Sequence, residues 1–154
     1  MQLAPESVLL RIGDHVGVFY RGDEERNSVL IPVIAEALAV GCGVIYVSDR
    51  EPPEQVAGLL AESIDVKGAT ERKQLHLAAS TDAYLADGYF DPDRVVGYYH
   101  RACEGTTGCG FPVVCVIGEM SWSIRECPGT ERLLEYEALY AVHLGDTQAI
   151  TLCL

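Results

Sequence analysis

VVCVIGEMSW, residues 113–122, is the stretch whose reading decides the fold. Its first five residues are apolar with no polar alternation, the pattern of a strand covered on both faces, and strands of that kind belong to parallel sheets flanked by helices. The run then stops on a Gly, an acid, a Met, a Ser and the single Trp of the chain. Open α/β sheets bind ligands outside the carboxyl ends of their strands, so the carboxylate and the indole stand where function is expected.

Four further runs resemble this one: VGVFY at 16–20, GVIYV at 43–47, HLAA at 76–79 and AITLCL at 149–154. Helical periodicity fills the gaps between them, at 28–40, 53–62, 94–104 and 131–143; the first has apolar residues at Val29, Leu30, Val33, Ile34, Ala37 and Leu38. Strands alternating with helices of this length predict right-handed βαβ units, hence an α/β fold with a three-layer, mostly parallel, doubly wound sheet. Asp91 followed by Pro92 reads as an N-cap with proline at the first helical position. Thr130 reads as the cap of the last helix, and Gly41 as the left-handed residue closing the first.

At 154 residues the chain is expected to form one domain over residues 1–154, burying roughly 68–70% of its unfolded surface without staples. No apolar run approaches the ~18 residues that span a bilayer, and the first residues lack the basic start and apolar core of a secretory signal; a cytoplasmic protein without membrane contact is the expectation. Eleven Lys and Arg stand against 23 Asp and Glu, for a net charge of −12. Such a surface repels phosphate backbones, which argues against direct nucleic-acid binding. The six cysteines include no C-x-x-C pair and three lie in apolar runs, so they read as reduced core thiols and not as a zinc site. His15, His76, His100 and His143 are scattered without a helical partner at i+3 or i+4, and no metal or other cofactor is expected.

The loop after the first strand, RGDEERNS at 21–28, has one Gly, no Lys and three consecutive acids, Asp23, Glu24 and Glu25. A nucleotide-triphosphate loop needs glycines that let backbone N–H groups wrap phosphate and a Lys to balance its charge. Here carboxylates occupy the positive end of the following helix, where they stabilise the helix and repel phosphate. A dinucleotide fingerprint and a G-x-S-x-G elbow are equally absent, and no local partner activates a Ser or Cys, so no enzyme activity is expected.

Glu119 is the most informative residue. A carboxylate at the tip of an apolar strand must face solvent, pair with a cation such as Arg125 or Arg132, or bind something in a cleft. Trp122 is either a packing residue or part of a mixed acid and aromatic wall suited to a small organic molecule. Glu137 in LLEYEALY at 133–140 lies close to the buried stripe of an amphipathic helix, either solvated or turned toward the same cleft.

The blocks HVGVFYRGDEE at 15–25, VIYVSD at 44–49, AYLADGYFDPDRVV at 83–96, VIGEMSW at 116–122 and LLEYEALY at 133–140, in that order and spacing, resemble the MEDS family, a sensory domain named for methanogen and methylotroph regulators. The resemblance implies a RecA/KaiC-like fold with a degenerate nucleotide loop, and a sensor of simple hydrocarbon derivatives in a signal-transduction or transcription-regulation system. By position it implies ligand contacts at His15, Phe19, Tyr20, Asp49, Glu119, Met120, Trp122, Tyr136 and Glu137. His15 precedes the first strand, which points to the opposite end of the sheet from the cleft.

The reading is a small organic ligand at the strand ends, with Glu119 and Tyr20 as polar contacts, Phe19, Met120 and Trp122 as apolar surface, and Cys127, Pro128 and Gly129 as a hinge. Its output would pass to a regulatory protein or fused effector module. A ligand-free interaction module is the alternative, docking its acidic face on a kinase, an anti-sigma factor or other regulator, or a second copy of itself.

Overall fold

Five parallel strands form the main sheet of the computed structural model, which describes residues 2–3 and 8–154. In chain order β1 (Gln2–Leu3) and β2 (Val8–Leu9) make a small antiparallel pair. The sheet proper consists of β3 (His15–Gly17), β4 (Gly43–Ser48), β5 (Leu75–Ala79), β6 (Val114–Gly118) and β7 (Ala149–Cys153), in the spatial order β3-β7-β6-β4-β5. The helices are α1 (Asp23–Ala39), α2 (Pro53–Leu60), α3 (Val66–Glu71), the single turn α4 (Ser80–Ala83), α5 (Pro92–Gly108) and α6 (Leu133–Leu144). This is the expected three-layer α/β architecture, consistent with a RecA-like fold.

Side chains alternate across the sheet with period two. Val44, Tyr46, Cys115, Ile117, Ile150 and Leu152 pack with Leu30, Val33 and Ile34 of α1 and with Val56 and Leu60 of α2. Ile45, Val47, Val114, Val116 and Ala149 pack on the opposite side with Val95, Tyr99 and Cys103 of α5 and with Tyr136 and Tyr140 of α6. Two cores therefore share one sheet.

Expected punctuation recurs at two places. Asp91 caps α5, its Oδ1 accepting from the Arg94 amide at 2.9 Å, and Gly41 takes φ +84° after α1. Three boundaries differ. The first strand of the sheet, β3, ends at Gly17, because β7, its only neighbour among the described residues, offers its last acceptor to the Val18 amide from Cys153 at 2.7 Å. Beyond that bond the chain leaves the sheet, and Phe19 stands 96% exposed instead of buried. Helix α1 starts at Asp23, with all three acids in its first turn and the Glu25 carboxylate accepting from the Arg21 amide at 2.8 Å. Thr130 does not cap α6; its hydroxyl donates to the Cys127 carbonyl at 2.7 Å, and a 3-10 turn, Thr130–Arg132, leads into the helix. The β1-β2 pair, α3 and α4 were not expected from the sequence pattern.

All six cysteines are free thiols, with Cys42, Cys103 and Cys115 buried. Among the described residues no helix is long and apolar enough to cross a membrane.

Candidate functional site

Chain connections leave β4 toward one edge of the sheet and β6 toward the other, so the crevice between the tips of these neighbours is the switch point at which doubly wound sheets hold ligands. Alternation along β6 carries past its end. Cys115 and Ile117 face α1, and so does Glu119; Gly118 and Met120 fall on the side of α5 and α6.

Glu119 fills the crevice itself. It is fully buried, and its Oε1 accepts from Arg26 Nη1 at 2.9 Å and from the Tyr46 hydroxyl at 2.6 Å. Its Oε2 accepts from the backbone amides of Asp49 and Arg50 at 2.6 and 2.9 Å. Two adjacent N–H groups at a strand tip make an anion seat, and here a carboxylate of the chain occupies it. Arg26, also fully buried, bonds Glu51 at 2.7 Å and Asn27 at 3.0 Å through Nη2. Burial works against the Arg26 charge, but Glu119 and Glu51 more than offset it and raise its pKa above the ordinary value. Burial together with the Glu119 carboxylate pushes the Tyr46 phenol up, so it stays a donor. Neither Arg125 nor Arg132 is the partner of Glu119.

Arg125 belongs to a second node. Asp49, whose side chain is 1% exposed, accepts from the Ser80 and Ser121 hydroxyls and from Arg125 Nη2, each at 2.6 Å. Burial would raise its carboxyl, but the bonds from Ser121, Ser80 and Arg125 prevail and hold it below the usual value. The node ties β4, α4 and the 3-10 turn Ser121–Ile124 together. Acidic residues also line a surface hollow at the start of α1, of about 470 Å³, where Glu24 and Glu25 flank Gly22.

On the opposite face Trp122 is fully buried in an aromatic box. Its ring lies 5.0 Å from Tyr84 and 4.7 Å from Phe90, and Tyr136 meets Tyr84 edge-on at 6.4 Å, Phe90 at 5.6 Å and Tyr140 in a stack at 5.5 Å. Tyr99 donates to the Tyr84 hydroxyl at 2.7 Å. Gly118 makes room for this pair, since a Cβ there would stand 2.1 Å from the Tyr84 oxygen. Burial first, and then neighbouring phenols and the Cys153 thiol, push Tyr84 and Tyr136 well above the ordinary phenol range. Burial likewise pushes Cys153 up to about 12. The box is thus polar in places but uncharged. Within it the Trp122 Nε1 has no hydrogen-bond partner among the described residues, an uncommon state for a buried indole.

His15 opens β3 level with Thr151, in the middle of the sheet and not at its far end. Its Nε2 reaches Cys153 Sγ at 3.2 Å and stands 3.8 Å from Glu137, with the ring edge-on to Tyr140 at 5.3 Å. His15 and Glu137 therefore border the box where β7 meets α6. Met120 packs against the same core, and its amide donates to the Leu154 carbonyl at 2.7 Å. Tyr20 packs on the α1 side, away from Trp122, and Phe19 projects into solvent. Of the nine residues singled out in the sequence, His15, Met120, Trp122, Tyr136 and Glu137 come together at the box. Asp49 and Glu119 form the charged nodes across the sheet, and Phe19 and Tyr20 join neither.

The MEDS model, a methanogen/methylotroph, DcmR sensory domain, matches residues 14–154, and so covers every one of these side chains. The chain belongs to the MEDS family. No curated protein matches it at a significant level. Membership in a sensory family places this MEDS domain in signal sensing. Sequence reasoning missed Arg26, Tyr46, Tyr84, Phe90, Tyr99 and Cys153. Arg26 had left a signal: with Leu30, Val33, Ile34 and Ala37 it continues the inner stripe of α1 by one turn. Among the described residues no group of three His, Cys, Asp or Glu side chains could hold a metal.

Proposed function

We propose that this MEDS domain is the non-enzymatic, ligand-sensing part of a prokaryotic signal-transduction or transcription-regulation system, and that it takes a small neutral hydrocarbon derivative into the Trp122 box. The observation that carries this reading is the buried Trp122 Nε1 without an acceptor. A buried unpaired donor costs about 1–3 kcal/mol, and an incoming hydroxyl, carbonyl or similar group would supply what it lacks. The surrounding phenols stay protonated and offer O–H groups, not charges, to such a molecule. The Phe90 amide donates to the Pro128 carbonyl at 2.8 Å, which links one wall of the box to the hinge at Cys127, Pro128 and Gly129. Occupancy of the box then changes the surface presented to an effector.

Trp122 is the single indole of the chain, so its fluorescence reports on the box directly. Titration with short alcohols, aldehydes and haloalkanes is expected to shift its emission and raise the melting temperature. In Trp122→Phe, which keeps the aromatic packing and removes the N–H, the thermal shift should vanish while the fold persists. Silence of both readouts across the panel counts against a ligand in the box. A docking module is the second reading, favoured by the exposure of Phe19, Ile124, Leu134 and Val142; a stable oligomer in native mass spectra without bound small molecule would support it.

A further inference from the structure

At the opposite end of the sheet from the box, a half-open cavity of about 410 Å³ lies between the second half of α5, the start of β6 and the turn after α6. Its volume falls in the range of small-molecule sites. His100, Glu104, His143 and Asp146 supply its charges and imidazoles; Val114 and Cys103 form an apolar floor, and among the described residues no Lys or Arg lines it. The imidazoles of His100 and His143 lie against each other, with centroids 4.6 Å apart and planes at 33°. Glu104 takes the Nδ1 side of His100 at 3.2 Å. The His143 Nε2 is buried without a partner, and Asp146 has no ion-pair partner among the described residues.

We propose that this cavity is a second binding site, for a small organic cation bearing N–H donors, that is, a protonated amine. Glu104 and Asp146 supply the negative potential, the Val114 and Cys103 floor takes the alkyl part, and the ammonium brings the donor that the His143 nitrogen lacks. Attraction is reinforced by the net charge of −12. A metal fits poorly, because among the described residues no group of three His, Cys, Asp or Glu side chains converges on one point.

The site carries its own pH dependence. The facing titratable groups are His100, Cys103 and Glu104 from α5, His143 from α6 and Asp146 from the following turn; β6 and the approach to β7 contribute Val114 and Gln148, which do not titrate. Burial, and then His100, hold the His143 pKa below its ordinary value, so at neutral pH its ring is uncharged and free to accept. Acidification charges the His143 ring, which repels the ammonium and removes the acceptor.

Calorimetric titration of the intact chain with propylamine, propanol and propionate tests the assignment. Propylamine should bind at about pH 8 and at least about tenfold more weakly at about pH 5, with the alcohol and the acid silent. Asp146→Asn and His143→Gln should each weaken it by about tenfold, whereas Trp122→Phe, at the far end of the sheet, should leave it unchanged. Absence of propylamine binding, equal binding of propanol, or binding that survives both substitutions together would overturn the proposal. Loss in Trp122→Phe would move the amine to the box, and stoichiometric zinc binding abolished by His143→Gln would replace the amine with a metal; either result also overturns it.

Discussion

Glu119 and Trp122 are three residues apart in the chain and on opposite faces of the sheet, and their surroundings obey different rules. Around Glu119 each carboxylate oxygen accepts two hydrogen bonds, and Arg26 reaches Glu51 and Asn27 besides. Nothing there is left for a ligand to satisfy. Around Trp122 the packing is aromatic and the indole N–H has no acceptor. A saturated polar hub rigidifies the strand tips, whereas an unsatisfied donor in a greasy box is a place where binding has something to gain. The contrast teaches that a switch-point crevice can be closed by the chain's own anion, and it is on this ground that the proposed ligand is assigned to the other face.

Breaking the hub should have the largest effect. Glu119→Ala leaves the Arg26 guanidinium buried without its main partner, and loss of one member of such a pair costs about 3–5 kcal/mol. Urea unfolding should show a loss of that size in the unfolding free energy extrapolated to water. Replacing both partners, Arg26→Met with Glu119→Leu, should recover only the part due to the stranded charge, because the Asp49 and Arg50 amides and the Tyr46 hydroxyl still lose their acceptor. A single Glu119→Ala variant as stable as the parent would mean that water reaches the hub and that the contrast between the two faces is false.

A smaller effect is expected where the two regions touch. Gly118 separates the hub from the box, and a methyl group there meets the Tyr84 oxygen at 2.1 Å and the Tyr99 oxygen at 3.2 Å. Tyr84 is held by Trp122 and Tyr99 and cannot swing away, so Gly118→Ala should cost about 1–3 kcal/mol through overpacking. Adding Tyr84→Phe removes the colliding oxygen, and the pair should be less destabilised than the sum of its parts. Strict additivity in the double-mutant cycle would show that the clash is not the cause.

Much of the architecture was legible because it rests on local pattern. The apolar runs at 43–47 and 113–117 give two central strands almost to the residue, and Asp91 and Gly41 mark helix ends through chemistry that acts within a few positions. The hub was not legible, for a physical reason. Arg26 meets Glu119 across 93 positions of sequence, and Arg125, six residues from Glu119, goes to Asp49 instead. Local proximity favours the wrong arginine; only the sheet order brings α1 over the tips of β4 and β6. The box was half legible: Trp122 and Tyr136 stood out by type and by family resemblance, while Tyr84 and Phe90 come from irregular turns before α5 that carry no periodic signal, and Tyr99 lies on the periodic stretch 94–104, where periodicity marks an inner face without naming what it meets.

Phe19 supplies the smallest predicted effect and sharpens the comparison from outside. In an apolar run it reads as a buried strand residue, yet β3 has ended two positions earlier and the ring is 96% exposed. A buried Phe truncated to a small residue costs about 3–5 kcal/mol; an exposed one has little transfer energy to lose. Phe19→Ser should therefore change stability by no more than about 0.5 kcal/mol and leave the Trp122 emission where it was. A large loss of stability would place Phe19 under a cover that the isolated chain forms in solution, such as a second copy seated on the β3 edge. Unchanged stability together with loss of effector coupling would instead assign this ring to the output surface of the proposed sensor, reached from the box without direct contact.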